Sequence, residues 1–207
     1  MQQSWLVWAQ KLQAIASTGL HFGASDFDKE RYAEVAAIAE SMLAALGEVP
    51  IERIRDLVPD FAQGYATPQI DVRGAVFKND EILLVQEKSD GRWTLPGGYA
   101  DVGLSAAENV VKEVAEEANI AVDATHLYAV RHKAKHAYRP DVRDFYKFFF
   151  LCEPLAETEP APGPETSAAA YFPLDALPEL STGRVIEQDL RQALACRQDA
   201  EPRTLFD

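Results

Sequence analysis

The sequence predicts an α+β fold in which a small all-α domain precedes a domain of mixed strands and helices. In the first 64 residues, apolar side chains recur at spacings of three and four, and no strand-like alternation occurs. From Gln69 onwards, apolar runs of strand length are separated by turn residues and helical segments. We therefore expect a helical domain over residues 1–64 and an α/β sandwich over residues 69–207, with a short linker between them.

Three helices are predicted in the N-terminal domain. The first presents an apolar stripe that consists of Trp5, Trp8, Leu12 and Ile15. The second has its N-cap at Ser25 or Asp26, because such side chains accept hydrogen bonds from the first free N–H groups, and it ends at Gly47. A third helix is expected to begin at Pro50.

The second domain is predicted to contain several strands and two helices. A hairpin turn at residues 78–81 joins the first two strands, and a short strand follows at residues 92–95. The first helix starts after Ser105, which has the spacing of a capping box with Glu108. The remaining segments are strands at 145–151 and 169–172 and a final helix at 184–197.

Composition and charge argue against several classes of protein. The formal net charge is −13, from 33 acidic and 20 basic residues, so the surface would repel nucleic acid and anionic membranes. A small anionic substrate stays compatible, because a bound divalent cation reverses the local charge. The two cysteines, the start of the chain and the lack of a run of about 20 apolar residues lead us to expect a cytoplasmic protein without a membrane partner.

Three carboxylates share one face of the first helix in the second domain. Glu113, Glu116 and Glu117 lie at positions i, i+3 and i+4. Like charges so placed repel one another unless cations lie among them, and hard oxygen ligands that leave coordination positions open suit Mg²⁺. A solvent-exposed acidic helix face would show the same spacing, so the three residues alone leave both interpretations open.

The residues around this helix resemble the Nudix box, G-x5-E-x7-R-E-U-x-E-E-x-G-U, in which U is aliphatic. The matching residues are Gly98, Glu113, Val114, Glu116, Glu117 and Ile120, with Pro96-Gly97 directly before them. The resemblance implies a Nudix α/β/α sandwich with a mixed sheet and a hydrolase acting on pyrophosphate bonds. It also implies that Glu113, Glu116, Glu117 and the Gly97 carbonyl bind Mg²⁺, or alternatively Mn²⁺, and that Glu116 and Glu113 are catalytic.

Three positions depart from the box. Leu104 replaces its first Glu, Lys112 its Arg and Asn119 its last Gly. In the family, that Glu and Arg support the metal-binding helix, and here Glu108 and Lys112 have the i,i+4 spacing of a substitute ion pair. Asn119 suits the left-handed conformation that ends a helix. We therefore expect an active enzyme with altered metal affinity.

The chain is also similar to a Nudix subgroup that has a helical N-terminal domain and includes bacterial CDP-choline pyrophosphatases. The similarity rests on the helical start, on residues 98–103 and on the lack of Glu at Leu104. It implies cleavage of a nucleoside diphosphate linked to a small group, with CDP-choline, which gives CMP and phosphocholine, as the first expectation. ADP-ribose is the alternative, because some members of the subgroup are known as ADP-ribose pyrophosphatases.

Two further side chains are candidates for substrate binding. Arg73, on the first strand of the second domain, would contact phosphate or base, although a surface ion pair explains it equally well. Glu165, in the loop before a later strand, would reach the site or would be an ordinary loop carboxylate. The general base stays open between a helix glutamate and a loop residue.

Two groups of residues carry additional hypotheses. A basic cluster, which would steer an anionic substrate or lie in a solvated loop, consists of His132, Lys133, Lys135 and His136. An aromatic set, which would cage a quaternary ammonium or pack in a core or dimer interface, consists of Trp5, Trp8, Phe22 and Tyr32. We expect a homodimer, since symmetric dimers are common among soluble enzymes.

Three other functions compete with the hydrolase. A Nudix-like ligand sensor would not need three clustered carboxylates. An enzyme acting on RNA ends would need a basic surface with interleaved aromatic residues, which this acidic chain does not predict. A helical adaptor would leave residues 69–207 without a role.

Overall fold

The computed structural model describes residues 4–23, 25–61 and 64–207. Their contacts form two compact units, a helical unit through Gln69 and a mixed unit that begins at Ile70. Residues 134–136 and 140–145 belong to the helical unit, which the sequence did not predict. An all-α unit followed by a mixed-sheet unit is the predicted α+β fold.

The described residues of the helical unit form three helices. Their bounds are α1 Ser4–Phe22, α2 Asp26–Gly47 and α3 Ile51–Phe61. The helices pack in sequence order around a small core made of Leu6, Ala9, Leu43 and Ile54. The Gln10 amide donates to the carbonyl oxygens of Asp141 and Val142 at 2.8 and 3.0 Å, which holds the segment at 140–145 in this unit.

The ends of α2 follow local rules that the sequence reveals. Ser25 is the N-cap, and its hydroxyl accepts a hydrogen bond from the N–H of Asp28 at 3.1 Å. The helix ends at Gly47, as predicted, and Glu48 takes the left-handed conformation that follows it, with φ 52°.

A seven-stranded mixed sheet forms the centre of the second unit. The strands are β1 Gln69–Lys78, β2 Glu81–Glu87, β3 Trp93–Thr94, β4 Val122–His132, β5 Phe145–Pro154, β6 Thr166–Pro173 and β7 Leu205–Phe206. Their order is β3-β2-β1-β5-β4-β7, and β6 also pairs with β2. The sheet is mixed because β4 and β7 are parallel, whereas β1 and β2, β2 and β6, and β4 and β5 are antiparallel.

Two helices cover opposite faces of this sheet. They are α4 Ala106–Ala118 and α5 Glu187–Gln198. Successive residues of a strand point to opposite faces, so Val72 and Val76 of β1 join the core cluster of α4, while Ala75 and Phe77 join that of α5. This arrangement confirms the predicted α/β/α sandwich.

The largest structural difference from the sequence prediction is β4. Its pairing with β5 shifts register between Ala124 and His126 and again between Leu127 and Ala129. Each shift breaks the two-residue alternation of buried and exposed side chains, so this strand lacks the pattern by which strands are found. A short 3-10 helix, Lys133–Lys135, follows it directly.

Within the described ranges, no helix combines the length and apolar character needed to cross a membrane.

Candidate active site

The loop after β3 runs along β1 and has one fixed backbone path. The N–H groups of Val72 and Gly74 donate to the carbonyl oxygens of Gly98 and Pro96, both at 2.9 Å. Gly97 has φ +145°, and a Cβ at this position would lie 2.0 Å from the carbonyl oxygen of Val72. Only glycine fits at this position, because any side chain would clash with the backbone of β1.

Two of the three α4 carboxylates lie against this loop. The N–H of Gly97 donates to Glu117 Oε2 at 2.8 Å, and Glu117 is only 6% exposed. The carboxylate of Glu113 lies beside Gly98. A Cβ on Gly98 would be 3.1 to 3.2 Å from the carboxylate atoms of Glu113. The structure therefore places Glu113 and Glu117 against the Gly97–Gly98 backbone, and the Gly97 carbonyl as a metal ligand stays a prediction.

The third carboxylate, Glu116, has a different partner. Lys112 Nζ lies 3.2 Å from Glu116 Oε2 and 3.0 Å from Asp101 Oδ2. Both hydrogen bonds raise the pKa of Lys112, and the one to Asp101 has the larger effect. The expected Glu108–Lys112 pair is wrong, because Glu108 closes the predicted capping box and accepts a hydrogen bond from the Ser105 N–H at 2.7 Å.

Burial and mutual repulsion change the ionisation of these glutamates. Burial raises the pKa of Glu117 to about 7, although the Arg73 cation and the Gly97 N–H oppose the change. Burial also raises the pKa of Glu113, and the charges of Glu116 and Glu165 add to this effect, against Arg73 and Lys112. The carboxylates thus lack full compensation by protein cations, and a bound cation would supply it.

The carboxylate and carbonyl oxygens of this site suit a hard divalent cation, although the described side chains do not converge on one point. Among the residues that the structure describes, no three His, Cys, Asp or Glu side chains have the spacing of a metal site. Glu117 is bound to the Gly97 N–H, and Glu116 to Lys112. Each of these contacts engages only the Oε2 atom, so the Oε1 atom of both carboxylates stays available to a cation, whose preferred ligands are oxygens of this kind.

Arg73 lies beneath the site. It is 3% exposed, its Nε and Nη2 donate to the Asp71 carboxylate at 3.0 and 2.8 Å, and its Nη1 donates to the Leu95 carbonyl at 3.1 Å. The surface ion pair expected from the sequence is wrong, because this ion pair is buried, and contact of Arg73 with substrate stays a prediction. Through Leu95, Arg73 instead holds the strand that leads into the Gly97 loop.

A buried lysine shares the same carboxylate, and we call Asp71, Arg73 and Lys147 the Asp71 cluster. Lys147 Nζ lies 2.5 Å from Asp71 Oδ1. Burial by itself would raise the pKa of Asp71, but the two cations hold it below its ordinary value. Burial lowers the pKa of Lys147 to about 8, although Asp71 opposes the change. Our sequence reasoning missed Asp71 and Lys147, and the signal for Lys147 was a single lysine within an aromatic strand.

Glu165 ends a loop that is docked on the C-terminal end of α4. The Gly163 N–H donates to the Glu117 carbonyl at 3.2 Å, and a Cβ at Gly163 would lie 1.7 Å from the Glu116 carbonyl oxygen. The Glu165 side chain is exposed, and its charge contributes to the raised pKa of Glu113. The structure therefore places Glu165 near the carboxylates, and the close approach of Gly163 fixes the loop that carries it.

The basic residues at the end of β4 and in the 3-10 helix that follows it do not form one solvated cluster. Lys133 is buried, at 9% exposure, whereas Lys135 is exposed. The His132 ring packs edge-on to Tyr146, with 5.6 Å between the ring centroids. The burial of Lys133 contradicts a simple solvated loop, and steering of an anionic substrate stays a prediction.

The predicted aromatic set is divided within the helical unit. Phe22 and Tyr32 line a cavity of about 650 Å³ together with Tyr65. Trp5 and Trp8 stack edge to face at 4.7 Å, are 60% and 50% exposed and are not among the lining residues. The structure therefore brings two members of the set to a common cavity and leaves the other two on the surface.

Two protein-family models match the chain in succession. Residues 3–58 match a UDP-X-like N-terminal oligomerisation domain, and residues 67–193 match the NUDIX domain. The second match includes all of the glutamates described above.

Similar proteins extend this result over the whole chain. A Bacillus subtilis (strain 168) protein named "Putative ADP-ribose pyrophosphatase YjhB" is 42% identical over 207 residues, which are 100% of this chain and 99% of that protein. The crystal structure of an ADP-ribose pyrophosphatase from Streptococcus suis 89-1591 is 42% identical, with a TM-score of 0.62, and covers 68% of this chain and 100% of its own. The crystal structure of a UDP-X diphosphatase is 28% identical, with a TM-score of 0.63, and covers both chains completely.

Proposed function

The chain belongs to the Nudix hydrolase family, and we propose from this premise that it cleaves the diphosphate of a nucleoside diphosphate linked to a small group. Nudix hydrolases act on such derivatives with the aid of divalent cations. The proposal rests on two carboxylates that lie against the loop containing Gly97: Glu113, which is half-buried, and Glu117, which is buried. Glu116 lies on the same face of α4.

Glu113, Glu116, Glu117 and the Gly97 carbonyl are the proposed ligands of Mg²⁺, with Mn²⁺ as an alternative. The raised pKa of Glu113 and Glu117 supports this assignment, because the fold holds these carboxylates where their charge is poorly compensated. A divalent cation bound there would lower the pKa of an attacking water and neutralise charge on the phosphate oxygens.

The protein groups have distinct proposed roles. Glu113 and Glu116 are the proposed catalytic carboxylates of α4. Glu165 is the best placed candidate for accepting the proton of the attacking water, because its side chain is exposed and its loop is fixed by Gly163. Arg73 is a positioning residue, since its contacts are with Asp71 and Leu95 and not with the open side of the site.

ADP-ribose is the substrate that we propose first. The two relatives at 42% identity carry names that refer to ADP-ribose, and one of them matches over the full length of this chain. The CDP-choline expected from the sequence stays a prediction, to be compared directly. Cleavage would give AMP and ribose 5-phosphate from ADP-ribose, or CMP and phosphocholine from CDP-choline.

The test is release of phosphate monoesters from a substrate panel in the presence of Mg²⁺. The panel contains ADP-ribose, CDP-choline and UDP-linked sugars, and the full chain is compared with Glu116→Gln and with Glu187→Gln, a control in the exposed first turn of α5. We expect ADP-ribose to be cleaved fastest, and cleavage to be lost only in Glu116→Gln. Binding of nucleotides without turnover of any panel member would overturn the proposal and favour a ligand sensor.

A further inference from the structure

Asp101 connects the loop before α4 to the helix itself. Its N–H donates to Asn109 Oδ1 at 2.8 Å, and its carboxylate Oδ2 lies 3.0 Å from Lys112 Nζ. Asn109 is 1% exposed and also donates to the Ser105 carbonyl at 3.0 Å. The backbone of Asp101 is therefore fixed by a buried side chain, and its carboxylate extends from a rigid base.

Lys112 transmits this connection to Glu116. Its ammonium lies between Asp101 Oδ2 and Glu116 Oε2, at 3.0 and 3.2 Å. The contact involves one oxygen of Glu116, and the other carboxylate oxygen, Oε1, takes no part in it. An ammonium held in this way restricts the orientation of Glu116 while it leaves a donor atom for a cation.

We propose that Asp101 is a positioning residue for the metal site, acting through Lys112 to orient Glu116 and to limit how strongly Lys112 competes with the bound cation. The inference rests on the proposed function, since it takes Glu116 as a metal ligand. An ammonium that is shared between two carboxylates neutralises each of them only in part. Without the carboxylate of Asp101, Lys112 would pair with Glu116 alone and oppose a cation at the same oxygens.

Replacement of Asp101 should have only a small effect on the free energy of unfolding. This small effect would distinguish a positioning role of Asp101 from a structural one. The Asp101, Lys112 and Glu116 side chains are between 38% and 57% exposed. Exposed ion pairs of this kind contribute little to the free energy of unfolding. Loss of the Asp101 carboxylate should therefore change metal affinity while the melting temperature stays nearly the same.

The experiment is a double-mutant cycle on Mn²⁺ affinity, measured from the electron paramagnetic resonance signal of free Mn²⁺ with the full chain and no substrate. We expect Asp101→Asn to weaken Mn²⁺ binding on the order of 10-fold. In the Lys112→Met background the same change should have no further effect, because its route to Glu116 is gone. Lys112→Arg should keep the sensitivity to Asp101→Asn, since it keeps a cation between the carboxylates.

Two controls make the outcome decisive. Glu187→Gln breaks an exposed ion pair with Arg191 on α5 and should leave Mn²⁺ binding unchanged. An equal loss of affinity on Asp101→Asn in both backgrounds would overturn the inference, because it would show a long-range charge effect. If Glu116→Gln abolishes Mn²⁺ binding while Asp101→Asn has no effect, this inference alone fails; if Glu116→Gln leaves binding intact, the proposed metal site fails with it.

Discussion

At the scale of single residues, a buried cation of the Asp71 cluster affects the pKa of the α4 glutamates. The Asp71 carboxylate neutralises the charges of Arg73 and Lys147, which are 3% and 2% exposed. Removal of the Asp71 charge would therefore leave two buried cations without a neighbouring anion. Arg73 also opposes the raised pKa of Glu113 and Glu117. The Asp71 cluster is thus the cationic support of an acidic site.

We predict that Asp71→Asn destabilises the protein by roughly 3–5 kcal/mol, because it leaves buried cations uncompensated. The pKa of Asp71 in the fold lies below its ordinary value of 3.8, so this stabilisation is fully present above pH 3.8 and is lost as the pH falls through the folded-state pKa. Urea unfolding over a pH series, with the exposed Asp123→Asn as control, measures the difference. A cost below about 1 kcal/mol at pH 7, the range of an exposed ion pair, would contradict the role of the cluster.

Residue-level predictions from the sequence were right for the helix caps, which are local interactions, but wrong for the equally local Glu108–Lys112 pair. The caps at Ser25, Ser105 and Asn119 each involve neighbours within four residues, so their spacing reveals them. The partners of Lys112 and Arg73 could not be predicted in this way. Asp101 is 11 residues from Lys112 along the chain, and the burial of Arg73 depends on the packing of the whole unit.

At the scale of elements, the site depends on how closely two loops approach the ends and faces of α4. The Gly97 loop contacts Glu117, and the loop that ends at Glu165 contacts the last turn of α4 through Gly163. The sequence identified α4 and its first loop, because the Nudix resemblance covers them. It did not identify the docking of the second loop, since neither spacing nor composition reveals a contact between Gly163 and the Glu116 carbonyl.

We predict that Gly163→Ala lowers kcat on the order of 10- to 100-fold, because a Cβ 1.7 Å from the Glu116 carbonyl oxygen must displace the loop that carries Glu165. Steady-state kinetics on the preferred substrate provide the measurement. Gly183→Ala is the matched control, as its Cβ would meet only the end of the Arg139 side chain at 3.8 Å. Unchanged kcat in Gly163→Ala would show that the loop does not position a catalytic group.

At the scale of the whole molecule, the helical unit carries apolar side chains that its own core does not use. Exposed members of this group are Trp5, Trp8, Ile15, Phe22, Phe27 and Ile38. Large exposed apolar patches commonly mark protein–protein interfaces, and this region matches a UDP-X-like N-terminal oligomerisation domain. We propose that the chain forms a homodimer through this unit.

We predict that the double variant Trp8→Glu with Ile15→Glu shifts the protein from dimer to monomer, because it places charges in an apolar interface. Light scattering after size-exclusion chromatography measures the mass of each species. Leu155→Glu, at an exposed apolar position of the mixed unit, should leave the dimer intact. A dimer that persists in the double variant would place the interface elsewhere, and a monomeric wild type would refute the dimer altogether.

The central claim is that the α4 glutamates bind the divalent cation on which catalysis depends. The most direct test is kcat for ADP-ribose, or for the panel member cleaved fastest, in Glu113→Gln, Glu116→Gln and Glu117→Gln, with Glu187→Gln as control and EDTA as a separate arm. We predict that each α4 variant loses on the order of 100-fold or more, that Glu187→Gln is unaffected, and that EDTA abolishes turnover until Mg²⁺ is restored. Full activity in any two of the α4 variants, or turnover that is insensitive to EDTA, would contradict the assignment of this site.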